Sequence, residues 1–220
     1  MKKFSSSILL GVFAMIAISG FGQAHASDES MSKSDYSIVK IKTEQGNVSS
    51  AAYFGGSNGQ VVIFVPGAVY NKESWFFLAE RLQKMNVASL PLDGKTPDVV
   101  LSAIDYLKKK GFNKISLVGG SMGGAAILKA LDRKTDASIN KVITLAPAGG
   151  KAIKSQTINK LFIVARNDRL GLYPVVKKLY ENSSEPKKFV VYEGTEHAQQ
   201  LFKSSHKEEL TKLIIDFITN

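Results

Sequence analysis

Short apolar runs recur along this chain, each closed by glycine, proline or a polar turn. Val61–Val65 ends at Pro66-Gly67, Lys114–Val118 at Gly119-Gly120, and Lys141–Ala146 at Pro147. Lys160–Ala165 ends in a polar turn and Lys188–Tyr192 at Glu193-Gly194. These runs are β-branched and continuously apolar, the pattern of strands covered on both faces. Val87–Leu90 is a weaker strand candidate of the same kind. Helical patterns lie between them. Val100, Ala103, Ile104 and Leu107 fall on one helical face, with Thr96 as N-cap and Pro97 at the first helical position. Trp75, Leu78, Ala79 and Leu82 mark a helix after the first buried strand, and residues 121–133 and 172–181 add two more. Ser205-x-x-Glu208 reads as a capping box opening a last helix, whose apolar face is Leu210, Leu213, Ile214, Phe217 and Ile218. Near the start, Ile38–Thr43 and Val48–Phe54 flank Glu44–Asn47 as a hairpin. An antiparallel start followed by repeated strand–helix units predicts an α/β fold with a mostly parallel central sheet and helices on both faces.

The first residues stand apart from this pattern. Lys2 and Lys3 precede an uncharged, mostly apolar run from Ile8 to Phe21, and Ala24-His25-Ala26 supplies small residues at a cleavage site. That is the three-part arrangement of a secretory signal peptide, and the run is short for a membrane span. The expected organisation is therefore a signal peptide at 1–26, a loose polar tail at 27–36 and a single domain at 37–220. The localisation that follows is secreted or periplasmic, with no stable membrane insertion after cleavage. The mature chain would lose Lys2 and Lys3, and its net charge would fall from +10 to +8.

Composition narrows the chemistry. Cysteine is absent and histidine occurs three times, once within the signal segment. A disulfide framework, a thiolate nucleophile and a Cys-ligated zinc are excluded, and two imidazoles leave little for a His-built metal site. No cofactor and no metal are expected. The lysines cluster at element ends, Lys108–Lys110, Lys177-Lys178 and Lys187-Lys188, without an interleaved aromatic platform, so no nucleic-acid partner is expected.

What remains is serine chemistry. Gly119-Gly120-Ser121-Met122-Gly123 reads G-x-S-x-G at the junction of a buried strand and a helix. There the chain must turn sharply and present the hydroxyl at the carboxyl end of the sheet. A serine needs a base. His206 lies inside the last helix's capping box and reads as a solvated helix-start residue. His197 follows the last buried strand, at the sheet edge where Ser121 emerges. The acid that would hold its tautomer is Asp168, just past Leu161–Ala165; Glu196, the base's immediate neighbour, is badly placed for that task. The oxyanion donors expected are the backbone N–H groups of Met122 and of Ala68, after Pro66-Gly67.

The order Ser121, Asp168, His197 on successive strand ends resembles the α/β-hydrolase superfamily, over about Ile38 to Asn220. The Gly-Gly-Ser-Met-Gly-Gly stretch and the compact length resemble its small dienelactone-hydrolase-like and esterase-like members. The resemblance implies an α/β-hydrolase fold and a serine hydrolase of the carboxylesterase kind. Many members carry His-Gly where this chain has Pro66-Gly67, and the Cys nucleophile of some dienelactone-hydrolase relatives is absent, so lactone specificity does not carry over.

Only about fourteen residues, Pro147–Lys160, are available where such enzymes insert a lid. No cap domain fits, which predicts an open cleft suited to small or partly exposed esters. Trp75 and Leu170, with Phe76, Phe77 and Met122, are the candidates for lining an acyl pocket, and at least half of the five are expected in the core. The expected partner is a small-molecule ester or acyl substrate. An acyltransferase, thioesterase or peptidase would use the same triad, and a non-catalytic binding protein on a hydrolase scaffold is the reading from another class.

Overall fold

The computed structural model describes residues 35–220; the expected signal sequence and residues 27–34 of the tail lie outside it. The described residues form eight strands and five α-helices. The strands are β1 (Tyr36–Lys42), β2 (Val48–Phe54), β3 (Gln60–Val65), β4 (Ala88–Pro91), β5 (Lys114–Gly120), β6 (Ile139–Leu145), β7 (Asn159–Ala165) and β8 (Lys187–Tyr192). The helices are α1 (Phe76–Gln83), α2 (Pro97–Lys109), α3 (Met122–Arg133), α4 (Tyr173–Asn182) and α5 (Lys207–Thr219). Short 3-10 turns at Lys72–Trp75 and Ala198–Lys203 precede α1 and α5.

One sheet holds all eight strands, in the order β1-β2-β4-β3-β5-β6-β7-β8. β1 pairs antiparallel with β2, and β2 antiparallel with β4; every later pairing is parallel. The continuous apolar runs are the central strands. β3, β5, β6 and β7 are almost wholly buried, whereas the edge strand β8 is only half-buried. The chain moves from β3 outward to β4 and then crosses back to β5. Right-handed crossovers in opposite directions place α1 and α2 on opposite faces of the sheet. The carboxyl ends of β3 and β5 therefore flank the point where the winding reverses, the crevice in which open α/β sheets bind ligands.

Three expectations are corrected. Tyr36 is not tail: it pairs with Phe54 in the β1–β2 ladder and stacks on the Phe54 ring at 5.1 Å, so the domain takes in residue 36 as well. The Ser205–Glu208 capping box does not form. Ser204 Oγ accepts the His206 amide at 3.1 Å, ending the preceding 3-10 turn, and α5 starts at Lys207. Trp75 is fully buried, stacked on Phe64 at 5.3 Å and edge-on to Phe202 at 5.9 Å. The indole is core and does not line an acyl pocket. The connection from β6 to β7, residues 146–158, carries no helix or strand.

Candidate active site

Ser121 sits between β5 and α3 with φ 49° and ψ −115°, a left-handed backbone that a serine rarely adopts. The strain is held by the surrounding hydrogen bonds. The Ser121 amide donates to Leu145 O at 2.9 Å, and its carbonyl accepts from Ala125 and Ala148, each at 3.0 Å. Small neighbours are a steric requirement. A Cβ on Gly123 would lie 2.2 Å from Val65 O, and one on Gly119 would lie 2.7 Å from the backbone of Gly123 and Gly124. The elbow thus touches the end of β3 backbone to backbone.

The acid and base loops are fastened to each other. The amides of Arg166, Asn167 and Arg169 donate to Tyr192 O, Gly194 O and Thr195 O at 2.7, 3.0 and 3.0 Å. Asp168 is thereby carried opposite His197. Its carboxylate is buried; Oδ1 accepts the amides of Leu170 and Leu172 at 3.0 and 3.4 Å, and Oδ2 lies 2.8 Å from His197 Nδ1. A carboxylate only accepts, so Nδ1 carries the ring proton and donates. The lone pair then lies on Nε2, 2.7 Å from Ser121 Oγ, and the hydroxyl donates to it. Ala198, next to the base, is also left-handed at φ 50°.

The rivals are turned elsewhere. Glu196 Oε2 accepts the Thr195 amide at 3.0 Å, folding back on its own loop. His206 hydrogen-bonds the Glu193 carbonyl at 2.8 Å and packs on Tyr192, half-buried rather than fully solvated. Burial pushes the Tyr192 hydroxyl up to about 12, with the Glu209 charge adding to the effect, so it stays protonated at neutral pH. Among the described residues, no cluster of three or more His, Asp or Glu side chains is arranged to hold a metal.

Both expected oxyanion donors lie on segments next to Ser121. Met122 follows Ser121 directly. The loop after β3 comes close as well, since a Cβ on Gly67 would meet Ser121 Cβ at 3.5 Å. The Gly67 amide is already taken: it donates to Gln199 Oε1 at 2.7 Å. Neither the Ala68 nor the Met122 amide meets an acceptor among the described residues. Leu170 is 60% exposed beside the acid, and it is its amide, bonded to Asp168, that belongs to the site's wiring.

Gln199 is a residue of the candidate site that the sequence did not point to. It is buried between the two loops. Oε1 holds Gly67, Nε2 donates to Ser74 Oγ at 2.6 Å, and that hydroxyl donates to Asn71 O at 2.7 Å. A Cβ on Gly120 would press on the same amide at 3.0 Å. Gln199→Leu keeps the bulk but strips the acceptor from a buried N–H, which costs about 1–3 kcal/mol. Because the loop carrying Ala68 is then untethered, kcat is expected to fall about 10²-fold. Titrating intact active sites before comparing kcat, with Tm measured alongside, separates that loss from simple unfolding.

No protein-family model matches the sequence, and no curated protein matches it. Solved structures do. An esterase from Exiguobacterium antarcticum superposes with a TM-score of 0.69 at 13% identity, over 83% of this chain and 99% of that one. A dienelactone hydrolase from Anabaena variabilis gives 0.68 at 16%, over 83% and 96%. An alpha/beta hydrolase from Penicillium sp. gives 0.68 at 14%, over 84% and 98%. At such identities the likeness is one of architecture: an eight-stranded, mostly parallel, open sheet of the α/β-hydrolase type.

Proposed function

We propose that this chain, an α/β-hydrolase by fold, is an exported serine hydrolase that cleaves carboxylic esters of small or partly exposed substrates. The observation that carries the reading is the unbroken chain from Ser121 Oγ to His197 Nε2, 2.7 Å, and from His197 Nδ1 to Asp168 Oδ2, 2.8 Å, at one end of the sheet. Similar structures described as esterases support ester chemistry at that site. The export signal rests on Lys2, Lys3 and the apolar run that ends before Ala24-His25-Ala26.

Each group then has one task. Ser121 Oγ attacks the ester carbonyl carbon while its proton passes to His197 Nε2. The carbonyl oxygen becomes negative and is met by the amides of Ala68 and Met122, fixed dipoles that need not reorganise. Asp168, buried and unable to turn, stabilises the imidazolium through Nδ1–H. The tetrahedral intermediate collapses; the C–O bond to the alcohol breaks and His197 returns the proton to the departing oxygen. Water, deprotonated by His197, then attacks the acyl-Ser121 carbonyl and releases the acid, restoring the hydroxyl.

The test is covalent labelling. Incubated with a fluorophosphonate, the mature protein is expected to gain one adduct, mapped by mass spectrometry to the peptide bearing Ser121, with matching loss of chromogenic ester turnover. A well-folded protein that takes no label, or takes it at another residue, would overturn the reading.

A further inference from the structure

A cleft of about 460 Å³ opens on the far side of Gln199, lined among others by Tyr70, Phe77, Phe202, Lys203 and Lys207. Along the chain, its lining adjoins the residues of the candidate site. Tyr70 lies two residues beyond Ala68 and Gln199 two residues beyond His197, so each Cα is within about 7 Å of its functional neighbour. One wall of the cleft is therefore the loop that carries an oxyanion amide, and another is the segment that carries the base. Its volume is within the ordinary range for a small-molecule site.

The chemistry of the lining is divided. Phe77 and Phe202 meet edge to face at 4.9 Å and, with Tyr70, offer ring surface to a flat apolar group. Two lysines also line the cleft. Lys203 has no carboxylate partner among the described residues; its Nζ lies over the Tyr70 ring, 5.8 Å from the centroid. Lys207 reaches only Glu208, at 4.0 Å, and that carboxylate is shared with Arg81 at 3.2 Å. Exposed pairs of this length contribute little and leave the ammonium open to a better partner. Ring surface and weakly paired cations in one cleft together suit a group that is flat at one end and negatively charged at the other.

We infer that this cleft binds the non-reacting arm of the ester, an aromatic or comparably flat group ending in a carboxylate or phosphate, held by Lys203 and Lys207. The inference rests on the acyl-serine reading for the reaction, and on the cleft alone for the ligand. Binding to the Ser121→Ala protein isolates the second part. Calorimetric titration with 3-phenylpropanoate, 2-phenylethyl phosphate and neutral 3-phenylpropanamide is expected to rank both anions about tenfold above the amide. The emission of Trp75, edge-on to Phe202, should change as they bind. High salt and the Lys203→Gln/Lys207→Gln pair should each erase most of the preference. The phosphate-to-propanoate ratio identifies which anion fits better. Failure of all three to bind, equal binding of anions and amide, or a preference that survives the double replacement overturns the inference. Anion binding with no ester turned over by the wild type would leave the cleft standing and remove the reaction; ester turnover in the wild type with no anion preference would do the reverse.

Discussion

Ser121→Ala is expected to lower kcat for a chromogenic ester by about 10⁶-fold, and Asp168→Asn by about 10⁴-fold, with the fold intact in both. The first loses the nucleophile outright. What survives is whatever the amides of Ala68 and Met122 do for direct attack by water. The second works through the hydrogen-bond pattern around the acid. Asp168 Oδ1 accepts two amides and Oδ2 accepts His197. An asparagine has one oxygen, and the two amides claim it, which leaves its NH₂ facing Nδ1. The imidazole must then place its proton on Nε2, where it donates to Ser121 instead of accepting from it. Steady-state kinetics on the purified variants, with circular dichroism as the check on folding, decide both. Equal activity of Asp168→Asn and wild type would remove Asp168 from the machinery.

Gly123→Ala is expected to damage stability and turnover together. The added carbon would sit 2.2 Å from Val65 O and 2.6 Å from Pro66 O and Val65 C. All three are backbone atoms, so no rotamer change relieves the overlap. The end of β3 must move away from α3, at a cost of about 1–3 kcal/mol or more. In a domain of this size that is a Tm loss of roughly 2–4 °C for each kcal/mol. The same displacement moves the loop of the proposed oxyanion donor Ala68, so kcat should fall about 10²-fold in the folded fraction. Thermal melts and kcat normalised to titrated sites measure the two effects apart. A variant with unchanged Tm would mean that the elbow and β3 are not in backbone contact.

Much of this site was legible in the sequence because its parts obey local rules. A continuously apolar strand ending in Gly-Gly-Ser needs the left-handed turn observed at Ser121, and the last two parallel strands each deliver one polar side chain past their carboxyl ends. The misreadings were tertiary. Ser205-x-x-Glu208 has the letters of a capping box, but Ser204 had already turned the chain. Trp75 has the size and position of a pocket residue, yet the nearby Phe64 and Phe202 rings enclose it. Gln199 carried no signal at all. A glutamine on a loop looks like any polar surface residue until Gly67, 132 positions away, puts an amide against it.

Ser121, Ala146 and Ala198 are three of the four left-handed non-glycine residues among those described, and all three lie where the chain leaves the carboxyl edge of the sheet or enters the base loop. Each holds roughly 1–3 kcal/mol of backbone strain, against a net stability of about 5–15 kcal/mol for a typical domain. This sets a boundary for anyone hardening the protein against heat. Glycine at Ala146 or Ala198 would relax the folded backbone, but it would also loosen the unfolded chain and release the torsions that aim the hydroxyl and the imidazole. Gains in heat resistance belong instead at the opposite margin of the sheet, in the β1–β2 hairpin, where the backbone carries no reacting group.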